Sequence, residues 1–224
     1  MTRITIDPVT RLEGHGKIEI LLDDAGDVEH TYFQIPELRG FESFCVGRPV
    51  EDMPALTNRI CGVCPEAHHM AAAKAAVAVY GVTVPRTGRM LRELLYNAFY
   101  VTDHATHFYV LSGPDLIMGP DAPKAERNIL GMVKKVGAEV GGKVIEARKA
   151  GHRVIEIIGG RRIHPCTGVP GGMTKAISDE ERDEIKGLAD FMVEFAAFSL
   201  DLFDTMLEQE EIAEIVHGDL YRHE

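Results

Sequence analysis

The stretch Arg59-Ile60-Cys61-Gly62-Val63-Cys64-Pro65-Glu66-Ala67-His68-His69 constrains this chain more than any other. It sets two cysteines two residues apart and adds two histidines just beyond. A Cys-x-x-Cys turn lets both sulfurs reach one centre, and the thiolate is the form that attacks or binds metal. Pro65 suits the first turn of a helix, because its missing N–H has no intrahelical partner there. The Ala-rich run from Ala67 to Tyr80 predicts that helix. Cys61 and Cys64 are therefore expected in a loop at a helix N-terminus, where partial positive charge stabilises thiolates.

Three chemistries fit the spacing. The first is a redox dithiol, but such a site follows an apolar strand in a βαβ unit, and Pro54-Ala55-Leu56-Thr57-Asn58-Arg59 is not such a strand. The second is a structural zinc site on Cys61, Cys64 and a histidine, which lacks a fourth ligand at the usual spacing. The third is half of a larger metal centre, since soft sulfur donors select soft or borderline metals.

The whole chain bounds these choices. Its 224 residues suit one domain, 1–224, or a piece of one, large enough to bury a core. A net charge of −11, from 24 basic and 35 acidic residues, argues against a nucleic-acid or anionic-membrane surface. Four cysteines at this length make no disulfide framework, and Cys45 and Cys166 are expected to be small buried residues. No signal peptide opens the chain and no apolar run is long enough to span a bilayer. A cytoplasmic, soluble protein is expected.

Thr2–Asp7, Gly16–Leu22 and Val28–Ile35 alternate as strands, with a turn at Asp23–Asp27, so a small antiparallel sheet is expected at the N-terminus. Between the first two lies Thr10-Arg11-Leu12-Glu13-Gly14-His15, which on its own reads as a solvated turn. Arg39-Gly40-Phe41-Glu42 reads as an amphipathic turn, or as the source of a hard oxygen ligand in Glu42. Arg86–Ser112 predicts a long helix whose buried face holds Leu91, Leu94, Leu95, Ala98, Phe99 and Thr102. Asp103 and His107 share a face of it, as an ion pair or a metal pair. Gly113-Pro114 is expected to end it.

Ala122–Arg153 predicts another helix, whose Gly131, Gly137, Gly141 and Gly142 imply close helix approach or a kink. The segment Gly159–Gly172 carries no phosphate-loop ending and reads as an irregular segment packed in a core. Ser178-Asp179-Glu180-Glu181 is a capping box, and the helix it opens has a long apolar stripe from Ile185 to Met206. The polar run Glu208–Glu224 is expected to form no further element. The fold class is α+β, predominantly helical, a small N-terminal antiparallel sheet followed by a long-helix bundle.

In this order the segments resemble the large subunit of nickel–iron hydrogenases. Four blocks carry the likeness: Asp7-Pro8-Val9-Thr10-Arg11-Leu12-Glu13-Gly14-His15; Arg39-Gly40-Phe41-Glu42; Arg59-Ile60-Cys61-Gly62-Val63-Cys64 with His68; and Asp103-His104-x-x-His107-Phe108-Tyr109. His164-Pro165 with Gly171-Gly172 looks like a fifth. The first block and the Phe41–Pro49 run look most like the soluble methyl-viologen-reducing, deazaflavin-reducing and sulfhydrogenase group.

The resemblance implies reversible heterolytic cleavage of dihydrogen into protons and electrons, at a nickel–iron centre whose iron carries carbon monoxide and cyanide. It implies Cys61 as a terminal nickel ligand, Cys64 as a nickel–iron bridge, and His68 hydrogen-bonded to the bridging sulfur. Glu42 would serve a magnesium site, Glu13 would take the proton, and Asp103 and Arg59 would line the space near the centre. Electrons would leave through an iron–sulfur small subunit, with room for further electron-transfer subunits, since this chain has too few cysteines to hold clusters. The family's second cysteine pair, in a C-terminal Asp-Pro-Cys-x-x-Cys-x-x-His motif, does not occur in these residues. The chain is therefore expected to be the N-terminal part of a large subunit, incomplete and inactive alone, with exposed apolar surface. The alternatives are a non-catalytic truncated relative and a zinc-binding structural or scaffold subunit.

Overall fold

The computed structural model describes residues 2–37, 39–119 and 121–218. They form two compact units, Met1–Val46 and Gly47–Glu224.

The first unit is built on a three-stranded antiparallel sheet, β1 (Thr2–Ile6), β2 (Lys17–Leu22) and β3 (Val28–Gln34), in the order β1-β2-β3. Its register pairs Ile4 with Ile20, Ile6 with Ile18 and Ile18 with Phe33, which gathers the apolar side chains on one face. On the other face Glu19 is buried and is paired by Arg3 and by Lys17, the latter at 2.8 Å. The turn from β2 to β3 is closed by Asp23, whose Oδ1 accepts from the backbone N–H groups of Ala25 and Asp27, both at 2.9 Å. A short helix, α1 (Phe41–Cys45), replaces the turn expected at Arg39–Glu42, begun by Gly40 in a left-handed conformation.

The second unit is helical. Its elements are α2 (Met53–Thr57), α3 (Pro65–Tyr80), α4 (Arg86–Thr106), α5 (Gly113–Met118), α6 (Ile129–Val136), α7 (Ala138–Gly159), α8 (Asp179–Leu207) and α9 (Glu210–His217). A two-stranded ladder, β4 (Gly168–Val169) and β5 (Gly172–Met173), lies between α7 and α8. The main core joins α3, α4, α7 and α8 through Met70, Leu91, Leu95, Phe99, Val154, Ile155, Ile158, Ile185 and Met192. The face expected on Arg86–Ser112 is that core: Leu91, Leu95, Ala98, Phe99 and Thr102 are buried, and Leu94 packs at its edge.

Pro114 does not stop the helix before it. The chain passes from α4 through a π-helical stretch, His107–Ser112, directly into α5. Proline removes one N–H and crowds the carbonyl four residues back. A π turn is wider and already displaces that carbonyl, so Pro114 is tolerated at the first turn of α5. The His107 backbone N–H donates to the Asp103 carbonyl, as in an α turn, while the His107 ring meets Ser112 Oγ at 3.2 Å.

The helix expected across Ala122–Arg153 is two helices. Asn128 caps α6, its side chain accepting from the N–H groups of Leu130 and Gly131. Gly137, at φ 92°, then breaks the chain before α7. The close approach is at Gly151, where an added Cβ would lie 2.0 Å from Thr102 Oγ1 on α4. Gly151→Ala is expected to destabilise the chain by about 1–2 kcal/mol, because overpacking outweighs the gain of about 1 kcal/mol in helix propensity. Gly142→Ala, with nothing within 4 Å, is expected to stabilise it by up to about 1 kcal/mol. Urea unfolding of the two variants reads both signs.

Ser178 and Glu181 form the capping box at α8: Ser178 Oγ accepts from the Glu181 N–H at 3.1 Å, and Glu181 Oε2 accepts from the Ser178 N–H at 2.9 Å. Ser178→Ala is expected to cost about 1 kcal/mol in the same assay. Within the polar C-terminal run, Glu210–His217 forms α9, because Ile212 finds a buried seat against Met206, Ile117 and Met132. Residues 219–224 of that run lie outside the described residues. Two cysteine expectations are corrected. Cys45 is half-buried, and Cys166 is exposed because the extended chain around it buries alternate residues, Pro165 and Thr167.

Candidate metal centre

The helix α2, the 3-10 turn Asn58–Ile60 and the start of α3 hold the cysteine loop. Cys61 is extended, at φ −133° and ψ 141°, and Cys64 occupies the N-cap position of α3 with Pro65 behind it. The backbone N–H groups of Val63 and Cys64 donate to Cys61 Sγ at 3.3 and 3.2 Å. Two backbone amides thus converge on one sulfur at the N-terminus of α3. His68 follows Cys64 by one helical turn, so its ring stands on the same face.

Ligand atoms of Cys61, Cys64 and His68 lie within 4.8 Å of one another, all three half-buried. No other group of three such side chains occurs among the described residues. Two soft sulfurs and an imidazole suit nickel or zinc, not a hard cation. They fit part of a thiolate-rich coordination sphere and leave positions open. Cys45 and Cys166 stand outside the group.

The remaining predicted residues divide. Asp103, half-buried on α4, is close enough to Glu66 and to Tyr96 to bias the ionisation of both. Arg59 is exposed on the turn before Cys61. Glu13 and Glu42 belong to the first unit and are exposed there.

Three side chains carry more of the local order than the motif announces. Glu66 is 2% exposed in the first turn of α3, and its Oε1 has no hydrogen-bond partner. Burial pushes its carboxyl up to about 7, against the pull of a backbone hydrogen bond and with a smaller push from Asp103. His69 is fully buried, and burial holds its imidazole below the ordinary histidine range. Arg92 reaches from α4 to donate to the carbonyls of Val169 and Gly172, at 2.6 and 2.9 Å. Glu66 and His69 stand inside the motif, and only helical phase separates them from the ligand face. Successive helical residues differ by about 100° in direction, so His68 and His69 face different surroundings.

Residues 39–138 match the family described as nickel-dependent hydrogenase, and residues 3–38 match one described as HoxL-like. The chain is 47% identical over 223 residues to an F420-non-reducing hydrogenase iron-sulfur subunit of Archaeoglobus profundus, covering 99% of this chain and 46% of that protein. It is 46% identical over 209 residues to a vhu subunit of the F420-non-reducing hydrogenase of Methanocaldococcus jannaschii, covering 93% and 50%. A crystal structure of an NAD+-reducing NiFe-hydrogenase in the H2-reduced state superposes with a TM-score of 0.83 at 38% identity, covering 93% of this chain and 46% of that one. The chain thus spans about half the length of the curated relatives it matches. It belongs to the nickel-dependent hydrogenase family.

Proposed function

We propose that this chain is the N-terminal part of a hydrogenase large subunit, with a role in the reversible cleavage of dihydrogen into protons and electrons. The observation that carries the reading is the convergence of Cys61, Cys64 and His68 at the N-terminus of α3. Cys61 is assigned as a terminal nickel ligand and Cys64 as the sulfur shared by nickel and iron. When bound, the nickel–iron centre, with carbon monoxide and cyanide on iron, supplies the polarisation that makes dihydrogen acidic. By the resemblance, His68 would orient the Cys64 sulfur by a hydrogen bond, Glu13 would take the proton, and Asp103 and Arg59 would line the space around the centre. Glu42 is assigned to a magnesium site.

The second cysteine pair is assigned to the remainder of the subunit. Apolar surface on the helices supports that remainder: Val193 and Leu200 of α8 are 69% and 66% exposed. An iron–sulfur small subunit takes the electrons, since these four cysteines offer no cluster spacing. Among the described residues no helix is long and apolar enough to cross a membrane. Four cysteines in 224 residues make no disulfide framework, which supports a cytoplasmic setting. A zinc-binding scaffold uses the same three ligands and is the second reading.

The native protein, purified anaerobically with whatever copurifies, is expected to exchange deuterium gas with water protons and to reduce viologen with dihydrogen. Full nickel occupancy with neither activity would overturn the hydrogenase reading. Stoichiometric zinc without nickel would establish the scaffold.

A further inference from the structure

The cysteine loop is gripped from both ends by one distant segment. Downstream of the loop, His69 Nδ1 lies 2.8 Å from the Pro54 carbonyl on α2, and the Gly168 N–H donates to His69 Nε2 at 2.9 Å. A carbonyl accepts only from a protonated nitrogen, and an N–H donates only to a bare one. His69 is therefore the neutral Nδ1–H tautomer, and neither ring nitrogen is free for a metal. Upstream, Asn58 Nδ2 donates to the Pro165 carbonyl at 2.7 Å, and His164 Nδ1 donates to the Asn58 carbonyl at 3.0 Å.

Those four bonds join residues up to 107 positions apart and close around the loop that holds Cys61 and Cys64. His164 holds a left-handed φ of 59°, a costly conformation for a side chain other than glycine, kept where surroundings over-determine it. Gly168 has no room for a side chain: an added Cβ would lie 2.9 Å from His69 Nε2 and 2.8 Å from Met70 Cε. Arg92 fixes the ladder that follows through Val169 and Gly172.

We propose that residues 164–168 are a strap that sets the spacing of the Cys61, Cys64 and His68 ligand atoms, with His69 the positioning residue that fastens it. This rests on the metal-centre reading. The strap pulls α2, the loop and the first turns of α3 into one body, so the ligand atoms converge before a metal arrives. Metal affinity and ligand-field geometry then depend on a side chain that never touches the metal.

The test is a cobalt(II) titration of the full 224-residue chain under reducing conditions. The unchanged chain should show a cobalt–thiolate charge-transfer band. His69→Leu should bind cobalt about 10–100-fold more weakly, the range typical for removing an outer-sphere partner, with a shifted ligand-field band. His69→Gln, whose amide oxygen can take the Gly168 N–H, should recover part of the affinity and move the band back. Gly168→Ala should weaken binding in the same sense, from the other side of the bond. His69→Leu with unchanged affinity and spectrum would overturn the proposal. So would equal loss in both His69 variants together with lost helix content, since His69 would then serve the fold as a whole. If the unchanged chain gives no thiolate band, the metal-centre reading itself fails.

Discussion

Cys64→Ser is expected to lower cobalt(II) or nickel(II) affinity by more than about 100-fold and to abolish the thiolate charge-transfer band. Removing an outer-sphere partner typically costs about 10–100-fold, and loss of a coordinating sulfur must exceed that. A serine hydroxyl is a hard, protonated donor at neutral pH and cannot replace a thiolate toward a borderline metal. Cys61→Ser should cost at least as much, because Cys61 Sγ is the sulfur on which two backbone amides converge, so the loop is folded around it. Cys166→Ser and Cys45→Ser should change nothing, since both stand outside the ligand group. Equilibrium dialysis with metal analysis reads all four variants. Equal losses at Cys166 and Cys64 would contradict the assignment of the site.

The second large effect is on stability against pH in the metal-free chain. Glu66 has its carboxyl raised from 4.5 to about 7, chiefly by burial. Between those values the folded chain keeps a proton that the unfolded chain releases. The stabilisation is therefore complete below the unfolded value and is lost as pH rises through about 7. The gap corresponds to about 3 kcal/mol, and about 2–3 kcal/mol is expected.

Other groups titrate differently. Glu19, Glu156, Glu181 and Glu184 are held below the ordinary range, mainly by hydrogen bonds from Arg3, Arg153, Lys175 and Arg153 respectively. Their stabilisation is present above the unfolded value and is lost only in more acidic solution. His69 and His152, lowered by burial, gain stability with rising pH in part of the same window. A comparison of two chains removes their contribution. Between about pH 5 and pH 8, the unchanged chain should lose about 2–3 kcal/mol more than Glu66→Gln does, by urea unfolding. Parallel pH profiles would contradict it.

Much of this was legible in local pattern. The capping box at Ser178, the alternation in β1–β3 and the Cys-x-x-Cys-Pro start of α3 are signals whose physics is complete within a few residues. The failures share a cause. Whether Pro114 ends a helix depends on how wide the turn before it is, and whether α9 forms depends on a seat for Ile212 that Met206, Ile117 and Met132 provide. His68 and His69 are the same residue type in adjacent positions, and only helical phase with a Gly168 N–H 99 residues away tells the one that faces the cysteines from the fastener. Arg92 carries no local signal at all, because its role lies in two carbonyls 77 and 80 residues away.

The most direct test is X-ray absorption at the nickel edge on native protein purified anaerobically from its source. The account predicts nickel with sulfur neighbours, and loss of that nickel when Cys61 and Cys64 are replaced by serine. Nickel bound only by nitrogen and oxygen, or a sulfur-bound zinc in its place, would contradict it.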